Sequence, residues 1–198
     1  MNGYCIVTFQ QLFHPVYKPL ILHFRYIYMT NIFCDIVKIL FTKTKRIVFS
    51  TSGYYSDRII QLARKYPQLG FRISIEGLSC KNDELRGRPG GFDKGLKTLL
   101  ELRRMGVKDI GFGITVSNNN SSDMLQLYEL NRNLKMEFAT ASFHNSFYFH
   151  KYDNKVTNID EVCGNFDELI QRLMNEKHPK SWFRAFFNLG LINYVKGG

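Results

Sequence analysis

From Arg46 onward the chain alternates short apolar runs with amphipathic ones, and that alternation is the strongest constraint on its fold. Residues 46–51, reading Arg-Ile-Val-Phe-Ser-Thr, form an apolar strand stopped by Ser52-Gly53. Ser56 stands where it can cap the following helix, which carries Ile59, Ile60 and Leu62 and is ended by Pro67. Residues 71–76 are the next strand, stopped by Gly77. A long loop then leads to a helix over about residues 92–105, with Phe92, Leu96, Leu99, Leu100 and Leu102 at helical spacing and Gly106 at its end. A third strand spans 110–116, and Ser121 or Ser122 caps a third helix bearing Met124, Leu125, Leu127, Tyr128 and Leu130. Residues 136–141 are a fourth strand. Strands and helices in this order imply parallel βαβ units with right-handed crossovers, so the four strands are expected side by side in sequential order. Four strands are too few to close an eight-stranded barrel.

In sheets of this kind the loops after the strands build the ligand site. Here those loops are polar: Ser52-Gly-Tyr-Tyr55, Glu76-Gly77, Ser117-Asn-Asn-Asn120 and Ser142-Phe-His-Asn-Ser146. Either they gather round a ligand or they are merely solvated. Single motifs within them carry little. Gly111-Phe-Gly113 lies inside a strand and lacks the third glycine of a dinucleotide fingerprint. Arg86-Gly-Arg-Pro-Gly-Gly91 precedes a helix start, where amides and the helix dipole favour anions, but it lacks the Lys-Ser/Thr of a phosphate loop. His144 and His150 are six apart, which is not one helical face, so aromatic-rich packing is preferred over a metal pair. Glu137 and Asp123 have no acid–base partner at readable spacing. No catalytic residue and no metal ligand is assigned on this basis.

Beyond residue 151 the pattern becomes helical. Residues 160–174 place Val162, Phe166, Leu169, Ile170 and Leu173 on one face, Pro179 breaks the run, and residues 181–194 form a second, very apolar segment. The N-terminal stretch is different again. It is crowded with Phe, Tyr, Ile and Leu, yet Lys18, His23, Arg25, Asp35 and Lys38 interrupt every run long enough to approach the ~20 residues of a bilayer span. It has neither the basic start nor the cleavage site of a signal peptide. It reads as a displaced or non-native leader, expected either to pack poorly or to occupy the place of strands preceding residue 46, with one sheet edge left exposed. Three segments result: an atypical leader over 1–33, an α/β body over 34–151 and a helical segment over 152–198.

The net charge is +10, but no block of five like charges occurs, which argues against a nucleic-acid tail; the bland reading is a soluble basic surface, and a phosphate-rich partner is the alternative. Cys5, Cys34, Cys80 and Cys163 are far apart, so no C-x2-C pair exists for zinc or redox work; four reduced thiols and a cytoplasmic location are expected.

Taken in order, Ile73-Ser-Ile-Glu-Gly77, Asn82-Asp-Glu-Leu-Arg-Gly87 and Gly91-Phe-Asp93 resemble a string of the radical S-adenosylmethionine (radical SAM) enzymes that carry a C-terminal SPASM domain. That subgroup includes anaerobic sulfatase maturases, peptide-modifying enzymes and relatives of the molybdenum-cofactor cyclase. Thr51-Ser-Gly53 is similar to the group's T-N-G after its third strand, and Gly113-Ile-Thr-Val116 with Asn120 to its fifth-strand pattern. The likeness runs from about Cys34 to Lys151. It implies an α/β fold built as a partial (β/α)6 TIM-like barrel, truncated, with additional C-terminal helices. It also implies SAM and a [4Fe-4S] cluster as cofactors, and hydrogen abstraction from a substrate, with a peptide among the candidates. By the same resemblance Ser74 and Arg86 hold polar groups of SAM, and backbone around Ala141 lies near the adenine; Glu76 replaces the commoner Asp. A bland reading stands beside each, with Ser74 an inward strand hydroxyl and Arg86 paired with Asp83 or Glu84. Two departures follow. The family's C-x3-C-x2-C, whose thiolates ligate three irons, is absent, and so is the glycine-rich stretch after its second strand. Residues 182–194 resemble the lead-in to a SPASM domain whose cysteines do not follow, so the chain is expected to be a fragment, inactive as it stands. The alternatives are a non-catalytic α/β binding module, or a basic peripheral membrane protein attached through residues 1–41.

Overall fold

The computed structural model describes residues 8–9, 20–23, 31–143 and 154–197. The histidines His144 and His150 and most of the loop from Ser142 to Ser146 lie outside the described residues, as does most of the leader.

The elements run β1 (Thr8–Phe9), β2 (Leu20–His23), α1 (Asn31–Lys43), β3 (Ile47–Thr51), α2 (Ser56–Lys65), β4 (Gly70–Ser74), α3 (Ser79–Arg86), α4 (Gly91–Arg104), β5 (Ile110–Val116), α5 (Ser121–Asn133), β6 (Glu137–Ser142), α6 (Ile159–Asn175) and α7 (Pro179–Val195). They form one sheet in the order β1-β2-β3-β4-β5-β6. Every neighbouring pair from β2 to β6 is parallel, and β1 runs antiparallel to β2. The four expected strands are all present, parallel and sequential. The result is an α/β partial barrel with two added C-terminal helices.

The period-two pattern decides which face is which. Ile47 and Phe49 of β3, Phe71 and Ile73 of β4, and Phe112, Ile114 and Val116 of β5 fall on one face and are almost completely buried beneath the helices. Phe49 and Phe71 meet on that face with ring centroids 6.1 Å apart. Each such side chain contributes roughly 1.5–3 kcal/mol by leaving water. Helices α2, α4 and α5 answer with Ile59, Leu62, Leu99, Leu102, Met124 and Leu127. Toward the C-terminal ends of the strands the opposite face is small and polar, with Ser50, Ser74, Gly113, Thr115, Ala139 and Ala141 at the alternate positions, while Val48, Arg72 and Glu137 stand on its other half. That contrast between the faces makes the concave side available to a ligand.

Three local expectations are corrected. The stretch expected to be a long loop before residue 92 contains α3, a helix with no apolar stripe: its one buried residue is Asn82. Periodicity is silent on such a helix. Ser56 and Ser121 are the first helical residues rather than the caps, which are Tyr55 and Asn120. The Ser56 hydroxyl is instead 2.6 Å from Thr98 Oγ1, and Thr98 Oγ1 also donates to Gly53 O at 2.8 Å. That contact ties the β3–α2 turn to α4. It requires Gly53 and Gly95 to approach closely, since a Cβ on Gly53 would lie 2.8 Å from Gly95 Cα. Finally, the sheet edge at β3 is not bare: Leu20–His23 pairs with it in parallel register, Leu20 opposite Ile47 and His23 opposite Ser50. Of the two fates expected for the leader, this segment takes the second.

Candidate functional site

At the C-terminal ends of β4 and β5 the polar loops Glu76-Gly77 and Ser117–Asn120 meet each other and α3. Ser74 is the last residue of β4 and its register partner on β5 is Gly113. Its Oγ lies 3.2 Å from Ser50 Oγ on the neighbouring strand. Ala141 lies one strand beyond β5, opposite Thr115. Ser74 and Ala141 are therefore separated by a single strand, roughly 10 Å across the sheet at the usual ~4.8 Å spacing. Between them the face carries no bulk. A Cβ added to Gly113 would meet nothing nearer than Ala139 O at 3.9 Å.

Arg86 reaches this edge from α3. It is the helix's last residue, and Gly87 follows in the left-handed conformation at φ 59°, which closes the helix without a Cβ penalty. The sequence had placed Arg86 on a loop, and had Asp83 or Glu84 as its bland partners; the fold gives it Glu76 instead, with Nη2 donating to Oε1 at 2.7 Å. Its Nε is buried and has no acceptor. A buried donor left unmade costs about 1–3 kcal/mol, so this atom marks a place where an acceptor belongs.

Asp83 is occupied elsewhere. Its carboxylate accepts from Gly90 N at 2.5 Å and Phe92 N at 2.9 Å, and the Phe92 amide chiefly holds it below the usual carboxylate range. The anion site that the glycine-rich run offered at the start of α4 is thus filled by the chain's own Asp83. The aromatic beside it, Tyr54, lies under Lys94 Nζ at 3.8 Å from the ring centroid.

Two residues to which the sequence reading gave no role hold the backbone of this edge. Asn82, almost fully buried, accepts the Glu76 amide through Oδ1 at 3.0 Å. Asn120, also buried, donates through Nδ2 to Glu76 O at 2.8 Å and to Thr115 O at 3.0 Å, and accepts Ser117 N at 2.7 Å. Both stood in the strings that carried the family resemblance, but neither had been given a role.

Among the described residues no three His, Cys, Asp or Glu side chains come together to hold an ion. Cys80 is exposed on α3, and Cys163 is buried in α6, where burial pushes its thiol up. The residues described do not fit an iron–sulfur cluster. The Arg86 donor and the open strip at Gly113 do fit a ligand with a carboxylate and an extended body.

Comparison with known proteins adds the context. No family model matches the chain. It is 32% identical over 91 residues to an Fe-coproporphyrin III synthase of Methanosarcina barkeri, the alignment covering 44% of this chain and 22% of that protein. It is 28% identical over 82 residues to the sporulation killing factor maturation protein SkfB of Bacillus subtilis, covering 41% and 20%. A pre-heme d1 synthase of Dinoroseobacter shibae is 30% identical over 90 residues, covering 44% and 22%. Native anSMEcpe with bound AdoMet and Cp18Cys peptide shares the fold at TM-score 0.50 and 13% identity, over 75% of this chain and 45% of that one. These proteins are radical SAM enzymes, and the chain is similar to them. Its likeness is to the SPASM-type members, whose cofactors are SAM and a [4Fe-4S] cluster. It spans about a fifth of the length of the curated relatives it matches, which is 22% of the first. No described helix is long and apolar enough to cross a membrane.

Proposed function

We propose that this chain forms the SAM-holding part of a radical SAM barrel over residues 34–151, with residues 152–198 leading toward a further domain. Arg86 takes the methionyl carboxylate, Ser74 a neighbouring polar group, and the backbone around Ala141 the adenine. One observation carries the reading: Arg86 Nε is buried at the C-terminal edge of the sheet with no acceptor of its own. A guanidinium offers paired donors in a fixed plane, which suits a carboxylate better than an ammonium can. Ser74 supports the same reading, because its hydroxyl is shared only with that of Ser50 and retains capacity for a ligand.

In the superfamily SAM is cleaved reductively beside the cluster to abstract hydrogen from a substrate. No residue described here ligates such a cluster, and the sequence contains no C-x3-C-x2-C. As it stands the chain binds and orients; it does not turn over. The peptide in the anSMEcpe structure makes a peptide a candidate substrate for the complete enzyme.

Calorimetric titration with SAM tests the site. Arg86→Ala is expected to weaken binding by one to two decades, the equivalent of ~1.5–3 kcal/mol for a hydrogen bond to a charged group, with the melting temperature little changed. Unfolding of the variant with unchanged affinity per folded molecule would make Arg86 a structural ion-pair residue and end the proposal. Anaerobic reconstitution of the chain with iron and sulfide is expected to yield no stable cluster, measured as iron per chain.

A further inference from the structure

Glu76 sits at the crossing of all three proposed cofactor contacts. It follows Ser74 by two residues on the same strand end. Its Oε1 accepts from Arg86 Nη2 at 2.7 Å. Its Oε2 accepts from the backbone N–H of Thr115 at 2.8 Å, and Thr115 is the register partner of Ala141. The residue's own backbone is fixed at both ends by buried amides, its N–H by Asn82 Oδ1 at 3.0 Å and its carbonyl by Asn120 Nδ2 at 2.8 Å. The carboxylate is thus held at two points, on α3 and β5, and the backbone that carries it at two more, which restricts how far the side chain can swing.

The division of its two oxygens is the informative part. A carboxylate beside a guanidinium ordinarily takes two parallel N–H bonds. Glu76 gives one oxygen to Arg86 and the other to β5, so the guanidinium is anchored at Nη2 while Nε is left without an acceptor. The bond at Nη2 restrains how the guanidinium can turn. The unmatched Nε–H is then aimed by the protein and not by the ligand, which lowers the ordering cost of binding.

We propose that Glu76 is a positioning residue for the SAM carboxylate: it acts through Arg86, and through Thr115 it sets that group against the strand that carries Ala141. This rests on the SAM-site reading above, and it does not make Glu76 a ligand contact. The charge matters as well as the shape. In Glu76→Gln the amide NH2 would confront either the Thr115 N–H or the Arg86 Nη2, donor against donor. Glu76→Asp keeps an acceptor for each, on a shorter stem.

The test uses the full chain with SAM as probe, comparing wild type, Glu76→Gln, Glu76→Asp and Arg86→Ala by calorimetry, thermal melting and NMR of the arginine Nε–H groups. Glu76→Gln is expected to lower SAM affinity about tenfold, the step a single charge-assisted hydrogen bond provides, and Glu76→Asp to retain most of it. Without SAM, the Arg86 Nε–H of wild type and Glu76→Asp should exchange slowly with solvent, and that of Glu76→Gln should exchange faster and broaden. A purely structural role would lower the melting temperature and leave affinity per folded molecule unchanged. An Arg86 Nε–H that exchanges identically in wild type and Glu76→Gln overturns the positioning role whether or not SAM binds. Affinity lost in Arg86→Ala but intact in Glu76→Gln overturns it while the SAM site stands. A wild-type chain whose SAM affinity Arg86→Ala does not change overturns the site itself.

Discussion

The two ends of the same sheet handle charge in opposite ways. At the N-terminal end, Asp109 accepts from Arg46 Nε at 2.7 Å, Arg46 Nη2 at 3.1 Å and Arg72 Nη2 at 2.6 Å. One strand over, Glu137 is paired with Lys180 and Arg184, which fastens α7 to β6. Both carboxylates there are met by two cations. At the C-terminal end Glu76 meets a single cation, and that cation keeps a buried donor unmatched. The comparison teaches where to look for function in a barrel of this kind. A closed set of partners stabilises; an open one, here a cationic donor at the end of the sheet where ligands of such folds bind, can be completed by an anion.

The largest expected effect is at the closed end. A Cβ on Gly111 would lie 1.7 Å from Glu137 O, on the backbone of a strand paired in register with its own. Neither strand can retreat without breaking the ladder. Gly111→Ala is therefore expected to abolish cooperative unfolding in a thermal melt followed by circular dichroism, and a wild-type transition would show that the two backbones are not so close.

Next in size is Asp109→Asn. Arg72 is about nine-tenths buried and burial already pushes its guanidinium down, so removing its counter-ion leaves a charge in poor surroundings. Losing one partner of such a pair costs ~3 kcal/mol, read from chemical denaturation. Its pH dependence is a sharper check. Burial raises the Asp109 carboxyl, but the hydrogen bonds and charges of Arg46 and Arg72 outweigh it and hold the group at about 2, against an ordinary 3.8. A depressed carboxyl contributes stability that is fully present above its unfolded value and lost as pH falls through its folded one. The gap between wild type and Asp109→Asn should therefore be constant above about pH 4 and shrink toward pH 2. Denaturation midpoints that keep the full gap at pH 2 would remove Asp109 from the network. Affinity for SAM per folded molecule should stay the same in this variant, because the network stands at the far end of the strands.

Much of this was legible in the sequence and some was not, for definable reasons. Strands such as residues 110–116 announce themselves because alternate side chains are apolar and one face is buried. Ser74 and Arg86 were proposed as site residues by likeness to a motif, and they lie at the same sheet edge. The helix α3 was missed because SCKNDELR has no apolar stripe; it is held by polar contacts from Asn82 and Asp83, and hydrophobic periodicity cannot report those. Glu76 was seen as a motif position where the family more commonly has Asp, with no role given to it. Its partners Arg86 and Thr115 stand ten and 39 residues away in the chain, a separation that spacing rules do not bridge. The pairing of Leu20–His23 with β3 was illegible for a related reason: four residues carry too little pattern to announce a strand, and only the neighbouring strand's register reveals them.

The smallest expected effect tests the comparison most directly, because it uses a second glycine on the same strand and face as the first. Gly113 pairs with Ser74 on one side and Ala139 on the other. A Cβ there would make only ordinary contact, with Ala139 O at 3.9 Å. Its φ is not in the left-handed region, so alanine is not strained. Replacing a strand glycine under those conditions removes freedom from the unfolded chain and should stabilise by ~0.5–1 kcal/mol. Gly113→Ala should then raise the melting temperature slightly where Gly111→Ala destroys the fold. Gly113→Leu should still fold, since the added carbons project into open space on the concave face, but it should fill the strip between Ser74 and Ala141 and weaken SAM binding by a decade or more in calorimetry. The two substitutions separate space from stability: the first asks whether the backbone tolerates a side chain, the second whether a ligand needs the room. If Gly113→Ala destabilises as Gly111→Ala does, the concave face is packed to its C-terminal end, and the contrast between a closed and an open edge fails at the position where a ligand would have to lie.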